Sequence, residues 1–179
     1  MGLQRFLPGG GPGPGLEPDD TETVRRIAGQ LAAMPVERAR YLAAFAYILT
    51  RAAAADLQVS EAESNAIERL VAEHGGLPES QAVLVAQIAH HQSLLYGGTE
   101  DYLVTRQFRE LSTGEERIAL LRCCYLVGAA DETITSVESD LLQQIARELD
   151  IDREAVNAIR TEFAPRLAAI QAMLRLREA

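Results

Sequence analysis

Apolar residues recur at three- and four-residue intervals along most of this chain, the spacing of one buried face of an α-helix. Leu42, Phe45, Ala46, Leu49 and Ala53 mark one such face, predicting a helix over residues 36–55. Ile67, Leu70 and Val71 mark the next, and Leu120, Cys123, Cys124 and Val127 a later one. Leu142, Ile145, Ala146 and Leu149 follow, then Val156, Ile159 and Phe163. An earlier helix is predicted from the capping types Asp20-Thr21-Glu22 through Ile27 and Leu31, stopping before Pro35. Gly75-Gly76 should end the helix of Ile67, and Pro78 should open a fourth that is apolar on most sides, runs to about Gln92 and lies centrally. Gly97-Gly98 then predicts a stop, with a fifth helix from about Glu100 carrying Tyr102, Leu103, Phe108 and Leu111. Thr113 and Asp152 are placed as N-caps, and Pro165 as a break or kink. No window alternates β-branched and polar residues, so the fold class is all-α, a bundle of seven to eight helices.

Two short polar turns interrupt this pattern in the same way. Asp56-Leu57-Gln58-Val59-Ser60-Glu61-Ala62-Glu63 and Asp131-Glu132-Thr133-Ile134-Thr135-Ser136-Val137-Glu138 share Asp-x-x-(Val/Ile)-(Ser/Thr)-x-x-Glu. Each follows Ala-Ala and precedes an apolar helix, which reads as an internal duplication of a helix–acidic turn–helix hairpin. Ser60 with Glu63, and Thr135 with Glu138, have the spacing of a capping box, in which each side chain satisfies the other residue's backbone N–H. Capping does not require Asp56 or Asp131. A carboxylate at the end of a helix opposes its dipole, so two such placements suggest either Asx turns or oxygen ligands for a hard cation such as Ca²⁺ or Mg²⁺. The EF-hand pattern is excluded, because its 12-residue loop is longer and carries a Gly that neither turn contains.

Composition narrows the partners. Seventeen basic residues, all Arg, against 26 acidic ones give a net charge of −9. That balance argues against nucleic acid and favours cations or proteins. With 47% hydrophobic residues over 179 positions the chain can bury one substantial core. The Pro/Gly run PGGGPGPG makes residues 1–18 a flexible segment ahead of a single domain at 19–179. No apolar stretch reaches the ~20 residues of a membrane span, and no targeting segment is visible. The two cysteines are adjacent within an apolar helical run, which is no disulfide framework and favours a reducing cytoplasm. They read as small core residues.

The motif as a whole resembles the tellurite-resistance TerB-like family, whose mark is an Ala-Asp-Gly turn, an aliphatic residue and then Glu, near the start and again near the end of an all-helical domain. The second copy matches better: Glu115-Glu116-Arg117 and Leu120-Leu121 precede Ala129-Ala130-Asp131, with Ile134, Glu138, Leu141, Ile145-Ala146 and Leu149 after it. Leu57 and Glu132 stand where the family has Gly. The resemblance implies a metal site made of Asp56, Glu63, Asp131 and Glu138, and a link to stress response or tellurite resistance.

Rival chemistry is thin. His90-His91 are neighbours on a helix and point apart, and no Gly-rich phosphate cradle, zinc spacing or nucleophile with a base context is present. The expectation is a non-enzymatic TerB-like module that binds a divalent cation through its acidic turns. The alternative is an interaction or co-chaperone-like adaptor that docks a protein partner without an ion, using its acidic surface and the stripe Leu167, Ile170 and Leu174.

Overall fold

The computed structural model describes residues 32–56 and 59–178. The Pro/Gly segment and the helix expected between Asp20 and Leu31 lie outside the described residues. Chain contacts divide the protein into Met1–Ala33 and Met34–Ala179, and everything below concerns the second unit. Its described residues form seven α-helices and two 3-10 turns, joined by one isolated β-bridge.

Helix α1 (Val36–Ala53) is the centre of the bundle. From Ala44 to Ala53 every residue is buried, because helices pack on all its sides. Its last turn tightens into a 3-10 turn at Ala54–Asp56. Helix α2 (Glu61–Gly75) starts at the expected capping box and ends at Gly76, whose φ of 58° is the left-handed conformation a C-terminal glycine supplies at little cost. Helix α3 (Glu79–Leu111), α4 (Gly114–Gly128) and α5 (Ser136–Glu148) follow. Thr113 caps α4 and Thr135 caps α5, each with its N3 glutamate returning to the cap's own N–H. Asp152 caps α6 (Arg153–Glu162), accepting from Ala155 N at 2.9 Å. A 3-10 turn (Ala164–Arg166) at Pro165 then redirects the chain into α7 (Ala168–Glu178).

The expected stop at Gly97-Gly98 does not occur. α3 is one helix of 33 residues that runs straight through both glycines. A glycine ends a helix only when the chain uses its left-handed freedom, and Gly76 is the only described glycine with positive φ. α3 is instead held by its packing on α1, its most extensive neighbour. Ala82, Ala86, Ala89, Thr105 and Phe108 are buried, and Ser93, Gly97 and Asp101 are half-buried along the intervening turns. Asp101, Thr105 and Phe108 on that face meet Tyr47, Arg51 and Tyr41 of α1. The expected central position of residues 78–92 is also corrected, since Leu84 and Ile88 are exposed and only Ala82, Ala86 and Ala89 of their apolar neighbours are buried.

A buried charge network ties the bundle together at the end of α1. Arg51 is only 5% exposed. Its Nη1 and Nη2 donate to the two carboxylate oxygens of Glu148 at 2.6 and 3.1 Å, and Nη1 also donates to Thr105 Oγ1 at 3.1 Å. Its Nε lies 3.3 Å from Asp101 Oδ2, while Tyr47 donates to the other Asp101 oxygen. Three helices, α1, α3 and α5, thus meet in one guanidinium. Burial raises the Asp101 carboxyl above its usual range despite Arg51. Burial would raise Glu148 too, but the hydrogen bonds from Arg51 and Gln144 together with the Arg51 charge outweigh it and hold that carboxyl low.

Candidate functional site

The two acidic turns abut, since α5, which leaves the second turn, packs against the 3-10 turn Ala54–Asp56 of the first. Glu63 and Glu138 are the buried members, 3% and 5% exposed. Each spends one oxygen on its capping box: Glu63 Oε2 accepts from Ser60 N at 2.7 Å and Glu138 Oε2 from Thr135 N at 2.7 Å. Glu138 Oε1 faces the end of α4, where a Cβ added to Gly128 would sit 3.9 Å from it. That is the carbonyl end of the helix, where the dipole disfavours negative charge.

Burial pushes the Glu63 carboxyl above the ordinary carboxylate range, against the opposing hydrogen bonds from Ser60. The negative charges of Glu138 and Asp131 raise it further, so carboxylates of the second turn act on Glu63 of the first. Asp131 itself is exposed. The side chain of Asp56 lies outside the described residues, as does Leu57. Among the described residues no three His, Cys, Asp or Glu side chains close around a single point. A hard cation here would therefore need Asp56, turn carbonyls or water beside the free oxygens of Glu63 and Glu138.

The second turn is shaped by a partner that its own sequence does not reveal. Ile134, 1% exposed, forms a parallel bridge with Leu167: its N–H donates to Arg166 O at 2.7 Å and its carbonyl accepts from Ala168 N at 2.9 Å. Gln171 Nε2 donates to the Glu132 carbonyl at 3.2 Å and to the Pro165 carbonyl at 3.1 Å, and Thr133 Oγ1 donates to Gln171 Oε1 at 3.2 Å. The C-terminal segment thus straps the turn and occupies the Glu132 carbonyl. The stripe Leu167, Ile170 and Leu174 divides accordingly: Leu167 is buried, Ile170 half-buried, and Leu174 48% exposed. Pro165, which redirects the chain after α6, was the only sequence sign of this arrangement.

Glu132 adopts φ 79°, the left-handed conformation. A side chain there costs on the order of 1 kcal/mol or more, which glycine avoids. We therefore expect Glu132→Gly to stabilise the protein by about 0.5–1 kcal/mol in urea unfolding, the relief of strain exceeding the added freedom of the unfolded chain. Destabilisation instead would show that the Glu132 side chain contributes to the turn.

One base context escaped the sequence reading. Cys123 Sγ lies 3.3 Å from His74 Nε2, across the α4–α2 contact. Burial pushes the thiol up to about 11, so it stays protonated at neutral pH, the state of an inert core cysteine rather than a nucleophile.

No helix among the described residues is long and apolar enough to cross a membrane. No curated protein and no solved structure shows a significant match to the chain. The family described as tellurite resistance protein TerB matches residues 41–161, which span both acidic turns and six of the seven helices, α1 from its sixth residue onward, and on that match the chain belongs to the TerB family.

Proposed function

We propose that this protein is a non-enzymatic, cation-responsive module of the TerB family, in which a hard divalent cation such as Ca²⁺ or Mg²⁺ joins the two acidic turns. The observation that carries the reading is the convergence of Glu63 and Glu138, both buried, with the charge of Asp131 acting on Glu63. Buried like charges are costly unless a proton or a cation compensates them. Glu63 and Glu138 would contribute their unspent oxygens, Asp131 would supply the exposed charge, and Asp56 is the fourth residue that family resemblance assigns. An ion held there would fix the α1–α2 hairpin against the α4–α5 hairpin. Such a change in coupling between hairpins suits a stress-response or tellurite-resistance role better than a chemical step does.

The test is thermal unfolding of the wild type, Asp131→Asn and Glu63→Gln with Ca²⁺, Mg²⁺, Mn²⁺ or Zn²⁺ at fixed ionic strength. A native-state ligand at a hundredfold excess over its Kd stabilises by about 2.7 kcal/mol. We expect an ion-specific gain in the wild type that both variants lose. Constant ionic strength matters because a chain of net charge −9 gains from any screening salt. Superimposable curves for the three proteins under every ion would remove the cation and leave the adaptor reading, which the exposed Met173, Leu174 and Leu176 on α7 favour.

A further inference from the structure

α3 carries an outward stripe that the bundle does not use. Residues 84, 88, 91, 95, 98 and 102 are all exposed and alternate steps of four and three, the seam along which one helix meets another. Ile88 is 53% exposed, Leu95 58% and Tyr102 55%. None of the described side chains in residues 91–100 is buried, yet the helix continues through two glycines there. Gly97 lies on the half-buried side, but Gly98 is exposed, where a glycine costs a helix about 1 kcal/mol relative to alanine, so a further contact on the outer side would support this stretch.

We propose that a second copy of this chain supplies that support, pairing α3 with α3 in antiparallel fashion about a two-fold axis near Ser93. Charge favours a second copy over a different partner. Residues 80–99 contain no Asp, Glu, Lys or Arg, in a chain that is 24% charged and carries −9. Two molecules of the same sign can meet only through a neutral face, and depletion of charge marks the core of an interface. A basic partner would be drawn to the acidic surfaces instead.

The order of side chains is also self-complementary, as a two-fold interface requires. Reversed about Ser93, the stripe sets Leu84 against Tyr102, Ile88 against Gly98 and His91 against Leu95. A Cβ placed on Gly98 would meet nothing within 4 Å, so the position faces open space that a neighbouring helix can enter. Ile88 of the other copy is the knob that fills it. This explains the glycine at 98 as a feature of the contact. The stripe covers roughly 25–30 Å of helix at 1.5 Å per residue, an extended seam rather than a point contact.

The proposal is independent of the cation reading and is tested by sedimentation equilibrium and light scattering on the full chain. The wild type is expected to be dimeric at roughly 100 μM, well above the micromolar Kd that a modest interface supports. Ile88→Glu, which places charge on the axis-flanking contact, and Gly98→Leu, which fills that space while improving helix propensity, are each expected to shift the Kd at least about tenfold toward monomer. Both positions are exposed, so the monomers should keep the wild-type circular dichroism, with Gly98→Leu melting no lower than the wild-type monomer because leucine favours the helix. Mixing His91→Cys and Leu95→Cys chains should form an intermolecular disulfide faster than either chain alone, since the native Cys123 and Cys124 are buried. A wild type that stays monomeric, a dimer indifferent to both substitutions, or equal cross-linking rates in mixed and unmixed samples would overturn it. A monomer that instead binds another protein, or another segment of its own chain, through Ile88 overturns it as well.

Discussion

Arg51→Met is expected to destabilise the protein by about 3–5 kcal/mol in chemical unfolding, the cost of removing one partner from a buried charge network. The guanidinium is 5% exposed and is engaged by Glu148, Asp101 and Thr105, which arrive on two other helices. Methionine fills much of the volume, so the loss would come from leaving two half-buried carboxylates without their cation rather than from a cavity. The pH dependence distinguishes these causes. In the wild type Glu148 is held low, so its contribution is present above the ordinary carboxylate range and is lost as pH falls through its folded value. In Arg51→Met the burial that already raises Asp101 is opposed only by the Tyr47, Gln144 and Thr105 hydrogen bonds, and the two carboxyls can relieve the strain by taking protons. The deficit of the variant should therefore shrink as the pH is lowered toward 4, roughly the ordinary carboxylate range. Adding Glu148→Gln to Arg51→Met should recover part of the loss at neutral pH. A deficit that is flat with pH would mean that packing, not charge, is what Arg51 contributes.

The second large effect is expected at Ile134→Ala, about 2–5 kcal/mol. Ile134 is 1% exposed within the core and sits on the bridge to the C-terminal segment. Truncation opens a cavity and weakens the grip on Arg166 and Ala168, whose backbone bonds to Ile134 flank it. Amide exchange should then quicken in residues 164–178 more than in α1, a signature that a uniform loss of core stability would not leave. Gln171→Ala should reproduce the local quickening at a smaller global cost of about 1 kcal/mol, because it removes only side-chain bonds to the turn. Equal quickening everywhere would show that the strap has no separate stability.

Several of the features that organise this protein were legible in its sequence because they are local. The capping boxes at Ser60/Glu63 and Thr135/Glu138 depend on residues three apart, and both form as the spacing requires. Asp152 caps its helix for the same reason, and Gly76 ends one by adopting the positive φ that glycine tolerates. Helical periodicity placed Leu120, Cys123, Cys124 and Val127, and later Leu142, Ile145 and Leu149, on buried faces. The family followed from the same local motif, since Asp, aliphatic and Glu positions around a short turn recur together whatever surrounds them.

Other features were decided by tertiary structure. Gly97-Gly98 look like a stop in isolation, but a helix continues wherever a neighbouring helix accepts its small face and no left-handed turn is used, and α1 provides that neighbour. In the first half of α3 the covered side is carried by Ala82, Ala86 and Ala89 while the larger Leu84 and Ile88 are exposed, so side-chain hydrophobicity alone does not mark which face is packed. The Arg51 network joins residues from three helices, and no periodicity within one helix encodes it. Likewise the binding of the second turn by Gln171 and Leu167 depends on Pro165 redirecting the chain across Ile134, a contact between segments that local spacing does not specify. What this sequence determined by itself was where helices begin and which faces are apolar, because capping and periodicity act within a few residues. Which carboxylates are buried together, and which apolar faces remain uncovered, was decided only when the helices packed, because burial belongs to pairs of elements and not to any one of them.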